Sequence, residues 1–137
     1  MNNFIFENSS KVYFGEGCVK EYLSNILSAY GDTVMLCYGG GSIKKNGIYD
    51  EVITVLKKEK KAVVEFSDIP SNPTYSKVLE GVKLAKESNA DLILAVGGGS
   101  VMDCCKAISL GAKYDGDIWA DFWARPGVID FEPLPLG

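Results

Sequence analysis

Two runs of the same composition could do chemistry in this chain: Gly39-Gly40-Gly41-Ser42 and Gly97-Gly98-Gly99-Ser100. Each follows an apolar stretch of strand length and precedes a helical pattern. A glycine turn between strand and helix presents bare backbone N–H groups at a helix N-terminus, where they and the helix dipole stabilise a phosphate. Glycine keeps a Cβ out of the path of a pyrophosphate, and serine adds a hydroxyl donor. The spacing G-x-G-x-x-G is absent from both runs, because Lys44 and Met102 occupy the last glycine position. One such turn is a weak signal. Two in consecutive positions point to a phosphate or dinucleotide ligand.

Asp103 and Lys106 follow the second run at helical i, i+3 spacing. Alone, that spacing suits a surface pair contributing about 0.2–0.5 kcal/mol. Asp103 would lie in the first helical turn, where its charge suits the dipole but repels a phosphate placed too close. Its chemistry is therefore that of a hydrogen-bond acceptor for a ribose or a nicotinamide amide. The chain contains no histidine, so an imidazole base or imidazole metal ligand has to come from elsewhere.

These residues need elements to position them. Residues 33–38, 62–66 and 91–96 are short apolar runs that read as strands. Ahead of the first run, Val19, Tyr22, Leu23, Ile26, Leu27 and Tyr30 mark one helix face with Gly31 as its stop. Ile48, Val52, Val55 and Leu56 mark a second helix, which ends in a lysine-rich stretch. Val78, Leu79, Val82 and Ala85 mark a third, opened by the turn Ser71-Asn72-Pro73-Thr74. Val101, Cys104 and Ile108 mark a fourth. Residues 3–7 and 11–14 read as a short N-terminal β-hairpin. The expected class is α/β: a Rossmann-like parallel sheet with flanking helices and that hairpin. Ligands of such sheets bind at the carboxyl ends of the strands, so the loops at 39–42, 71–74 and 97–100 should lie along one rim. Residues 134–136 look like the start of a further strand, after a less regular stretch containing Trp119, Phe122 and Trp123. These three aromatics read chiefly as packing residues.

The whole-chain properties bound the rest. A length of 137 residues suits one domain burying roughly 68% of its unfolded surface. With 47% hydrophobic and 23% charged residues the chain is globular, not disordered. A net charge of -4 gives no footprint for nucleic acid or anionic membrane. The lysines at 57, 58, 60 and 61 read as a solvated helix end. No stretch spans a bilayer and the N-terminus lacks a signal-peptide pattern. Cys18, Cys37, Cys104 and Cys105 lie in apolar patterns without C-x-x-C spacing, as small buried hydrophobes in a reducing cytoplasm do.

The run Gly97-Gly98-Gly99-Ser100-Val101-Met102-Asp103-Cys104-Cys105-Lys106 resembles the GGGSxxDxxK signature of the iron-containing alcohol dehydrogenases, butanol dehydrogenase-like branch. Lys11-Val12-Tyr13-Phe14-Gly15, Tyr38-Gly39-Gly40-Gly41-Ser42-Ile43-Lys44-Lys45, Ser71-Asn72-Pro73-Thr74 and Pro133-Leu134-Pro135-Leu136-Gly137 extend the likeness in family order. The resemblance implies a dehydroquinate synthase-like N-terminal fold and an enzyme that interconverts small primary alcohols and aldehydes with NAD(P), metal-dependent and a homo-oligomer when intact. Residues 1–137 would be a truncated dinucleotide-binding domain, without the helical domain that holds Fe or Zn through one aspartate and three histidines.

By the same resemblance, Gly97, Gly98, Gly99 and Ser100 would meet the pyrophosphate. Asn72 and Asp103 would contact the cofactor nearby, and Gly40, Gly41 and Ser42 would lie near the adenosine ribose. Some NAD-preferring relatives carry an aspartate where this chain has Gly40, so glycine there leaves room for NADP, and the expected coenzyme is NADP(H) in preference to NAD(H). No residue here corresponds to a metal ligand or is expected to be catalytic, and the segment alone is expected to be inactive. The expected partner is a small alcohol or aldehyde, with neither nucleic acid nor membrane. A non-enzymatic nucleotide-binding module and a glycerol dehydrogenase-like relative are the alternatives.

Overall fold

Thr33–Tyr38 forms the central strand β1 of a parallel sheet, flanked by Ala62–Phe66 (β2) and Leu92–Val96 (β3) in the order β2-β1-β3. Five of the six β1 residues are buried, which is why that run carries no polar alternation. The edge strand β2 is buried fully only at Phe66. The computed structural model describes residues 3, 5–125 and 127–137.

The pleat sorts the core into two layers. Met35, Cys37, Phe66 and Ile93 face the helices Tyr75–Glu87 (α4) and Gly99–Gly111 (α5), packing with Val78, Val101, Cys104, Cys105 and Ile108. Val34, Leu36, Tyr38, Leu92 and Leu94 face the other way, against Cys18–Leu27 (α1), the single turn Ser42–Lys45 (α2) and Ile48–Lys58 (α3). Helix, sheet and helix form three layers, as expected for the α/β class. Residues 134–137 extend the sheet beyond β3. The N–H of Ile93 donates to the Pro135 carbonyl (2.8 Å), that of Gly137 to Ile93 (2.9 Å) and that of Ala95 to Gly137 (2.8 Å). The order is therefore β2-β1-β3 followed by this segment, and the chain changes direction across the sheet between β1 and β3.

Several local expectations need correction. Among the described residues the N-terminal hairpin is not formed. Residues 5–14 are exposed and carry no strand ladder, while Phe4 lies outside the described residues. A two-stranded ribbon with no third strand or covering helix is marginal in water. What ties this segment to α1 instead is the Tyr13 ring, 4.7 Å from that of Tyr22. Helix α1 ends at Leu27, ahead of Gly31. Glycine at 31 serves packing: a Cβ there would come within 2.4 Å of the Asp91 carboxyl carbon, whose oxygen accepts from the Thr33 N–H at 2.9 Å. Lys61 is only partly exposed, and its ammonium donates to the Tyr30 and Gly31 carbonyls at 3.0 Å each. Phe122 packs against Tyr114 and Phe131 as expected, but Trp119 and Trp123, in a π-helical turn (Trp119–Trp123), are half-exposed.

All four cysteines are free thiols; Cys37, Cys104 and Cys105 are buried and Cys18 is partly exposed. A hydrogen bond with Cys105 and burial raise the Cys37 thiol, and burial pushes Cys104 up to about 11. One thiol should therefore react readily with Ellman's reagent in the native protein, and three more only after unfolding. Rapid native reaction of two or more thiols would contradict this packing.

Candidate nucleotide site

The three loops expected on one rim do meet at the carboxyl ends of the strands. The Asn72 N–H lies 3.4 Å from Ser100 Oγ, joining the loop before α4 to the start of α5. Asn72 adopts a left-handed conformation, φ 54°, which asparagine tolerates better than most side chains. Thr74 caps α4, its Oγ1 accepting from the Lys77 N–H at 3.3 Å. The first loop joins through Gly39. A Cβ there would stand 3.3 Å from the Ile69 carbonyl and 3.9 Å from a Val101 methyl.

The second glycine run lies further into the helix than its pattern suggested. Gly98 is the N-cap of α5 and Gly99 its first residue. The Val101 and Met102 amides turn back to the Gly98 carbonyl at 3.1 and 3.2 Å, while no acceptor among the described residues takes the N–H of Gly98, Gly99 or Ser100. The glycines differ in what they are for. At Gly97 a Cβ would strike Val101 at 2.7 Å, so that glycine serves packing. At Gly98 and Gly99 a Cβ would meet nothing within 4 Å, and neither has a positive φ. Neither backbone strain nor a protein neighbour requires glycine there. Open space in front of unpaired amides at the start of a 13-residue helix is a cradle for an anion.

The first run offers a similar opening. Gly40 also faces open space, and Gly41 has φ 106°, a left-handed value that suits glycine, as the N-cap of α2. Gly40 and Ser42 are exposed. Asp103 lies one turn into α5 and pairs with Lys106 at 3.2 Å, with both side chains mostly exposed. It borders a cleft of about 280 Å³ formed by Pro73, Tyr75, Cys104, Ile118, Trp119 and Trp123, which gives the two half-exposed tryptophans their setting. The Tyr75 and Trp119 rings lie 5.6 Å apart in that wall. Among the described residues no group of three or more His, Cys, Asp or Glu side chains is placed to hold a metal ion. No helix among them is long and apolar enough to cross a membrane.

Sequence reasoning missed one cluster entirely. Glu65 on β2 accepts from the hydroxyls of Tyr38 (2.6 Å) and Tyr49, while the Lys44 ammonium lies 5.2 and 4.7 Å from those two rings. The two tyrosine hydrogen bonds hold the Glu65 carboxyl below its ordinary range, and the carboxylate pushes Tyr49 up to about 12. The available signal was a lone carboxylate inside an apolar strand, Ala-Val-Val-Glu-Phe.

Residues 9–136 match the family model for iron-containing alcohol dehydrogenase. The chain belongs to the iron-containing alcohol dehydrogenase family. Within that family it is 47% identical, over its whole length, to a probable NADH-dependent butanol dehydrogenase of Bacillus subtilis, of which it covers 34%. It is 39% identical over 118 residues, 86% of this chain and 30% of the relative, to an NADPH-dependent aldehyde reductase of Escherichia coli. The crystal structure of an NADH-dependent butanol dehydrogenase A from Thermotoga maritima superposes with a TM-score of 0.87 at 42% identity, covering 99% of this chain and 34% of the other. The chain thus spans about a third of the length of these relatives.

Proposed function

We propose that this chain is the dinucleotide-binding part of an NAD(P)H-dependent alcohol dehydrogenase that interconverts small primary alcohols and aldehydes. The observation that carries the reading is the pair Gly98 and Gly99, glycines that neither backbone nor packing requires, set before unpaired amides. In this reading the Gly98, Gly99 and Ser100 amides hold the diphosphate, with Gly97 shaping the turn beneath them. The Asn72 and Asp103 side chains hydrogen-bond the nicotinamide half, and Gly40, Gly41 and Ser42 receive the adenosine ribose. The nicotinamide supplies or takes the hydride when bound. A divalent metal, iron or zinc, held by residues outside 1–137, supplies the Lewis acid that polarises the substrate oxygen. Residues 1–137 bind and orient the coenzyme but do not complete the reaction. The intact enzyme is read as a cytoplasmic homo-oligomer.

Gly40 bears on which coenzyme is accepted. An acidic side chain there would bond the ribose 2′-hydroxyl and repel a 2′-phosphate, whereas the open space at Gly40 admits either form. Both coenzymes appear in the names of the relatives above. Titration of the chain with NADH and NADPH should give saturable binding of both, with affinities within about tenfold of each other. Gly40→Asp should weaken NADPH selectively. A folded chain that binds neither coenzyme would refute the reading; strong rejection of NADPH would remove only the argument from Gly40.

A further inference from the structure

The first glycine loop has little of its own to hold it. Gly40 touches nothing within 4 Å of a would-be Cβ, Gly41 has no side-chain cap to offer, and α2 is a single turn with only Ile43 buried. Helical turns of this length do not persist without tertiary support. Ile43 anchors the inner side of the turn. On the outer side the next residue, Lys44, lies over the rings of Tyr38 and Tyr49, which meet edge-on at 5.7 Å. Glu65 ties the two hydroxyls together with one oxygen each. Tyr38 ends β1, Tyr49 is the second residue of α3 and Glu65 comes from β2, so one carboxylate links three elements around the loop. Each carboxylate oxygen accepts one tyrosine proton, and the lysine charge lies over both rings.

We propose that Glu65 and Tyr49 are positioning residues for the adenosine end of the dinucleotide: with Tyr38 and Lys44 they clasp α2, and thereby hold residues 39–42 in the shape that receives the ribose. The inference rests on the dinucleotide reading above and adds residues that touch no coenzyme in it. A preformed loop spares the ligand the cost of ordering it, so the clasp acts on affinity.

The test uses the full chain, ADP-ribose as the probe, and the variants Glu65→Gln and Tyr49→Phe, the second of which removes a single hydroxyl. Each variant should weaken ADP-ribose binding about fivefold to tenfold in calorimetry. Hydrogen exchange should quicken about tenfold at the Lys44, Lys45 and Asn46 amides, which bond to Gly41 and Ser42 carbonyls, and stay unchanged at Val101 and Met102. Unchanged ADP-ribose affinity in both variants would overturn the clasp while leaving the dinucleotide reading intact. Exchange quickening equally at Val101 and Met102 would also overturn it, as general loosening. If the parent chain itself fails to bind ADP-ribose, the dinucleotide reading falls and the clasp with it.

Discussion

Gly99→Asp is expected to weaken NADH binding by at least about 100-fold while leaving the melting temperature unchanged or slightly raised, because a carboxylate facing the diphosphate costs several kcal/mol. The two effects have opposite signs for one reason. Gly99 is the first residue of α5, where a carboxylate favours the helix by about 0.3–1 kcal/mol. The same carboxylate would stand in the open space where the diphosphate is proposed to lie. Gly98→Val tests the steric half alone: its φ of -86° and ψ of -169° suit a β-branched residue, and its Cβ would enter the cradle with no protein atom within 4 Å. Gly97→Ala makes the contrast. Its Cβ would lie 2.7 Å from a Val101 methyl, so it should destabilise the fold. Coenzyme fluorescence titration and thermal unfolding of all three variants check the set. NADH affinity surviving in both Gly98→Val and Gly99→Asp would place the diphosphate elsewhere.

Gly81→Ala is expected to destabilise the chain although it improves helix propensity. Gly81 is buried in α4, where a Cβ would come within 2.3 Å of Ile108 Cδ1, 2.8 Å of Ile108 Cγ1 and 3.1 Å of the Phe66 ring. Ile108 is fully buried on α5, so its side chain could give way only by displacing its neighbours in the packed core. Alanine gains about 1 kcal/mol of propensity over glycine. Overpacking costs about 1–3 kcal/mol or more, and at this contact distance the upper end applies. The melting temperature should fall by several degrees. Ile108→Val removes the nearest methyl and should restore part of the loss, so the double variant should be more stable than the sum of the single changes requires. A rise in melting temperature for Gly81→Ala alone would show that α4 and α5 are not packed as described.

How much was legible beforehand differs element by element. Strand β1 and the helices α3 and α4 stood out because a continuous apolar run or a 3.6-residue spacing records burial, although Ile48 and Leu79, read on those helix faces, are exposed, and β2 is buried only at Phe66. The hairpin was misread for the same reason in reverse: alternation over a few residues reports a half-buried strand only if something buries it, and residues 5–14 stay exposed, with Tyr13 against Tyr22 as their tie to α1. The tryptophans were read as packing because an aromatic in sequence carries no sign of which side faces solvent. Tyr38, Lys44, Tyr49 and Glu65 lie up to 27 residues apart and share no spacing rule; the register pairing Leu36 with Glu65 brings Glu65 near Tyr38, and the packing of α2 and α3 on the sheet adds the other two.

From its residues alone, this chain determined the alternation of strands and helices, the glycine turns that follow β1 and β3, and the likeness that family membership confirms. These are local properties, written in period and composition. Tertiary structure alone decided the strand order β2-β1-β3, and with it the change of direction between β1 and β3 that sets the two glycine turns side by side. It also decided which glycines answer to protein neighbours, as Gly97 does, and which face open space, as Gly98 and Gly99 do. Every glycine reads alike in a sequence, because what distinguishes them is the atom standing where a Cβ would go.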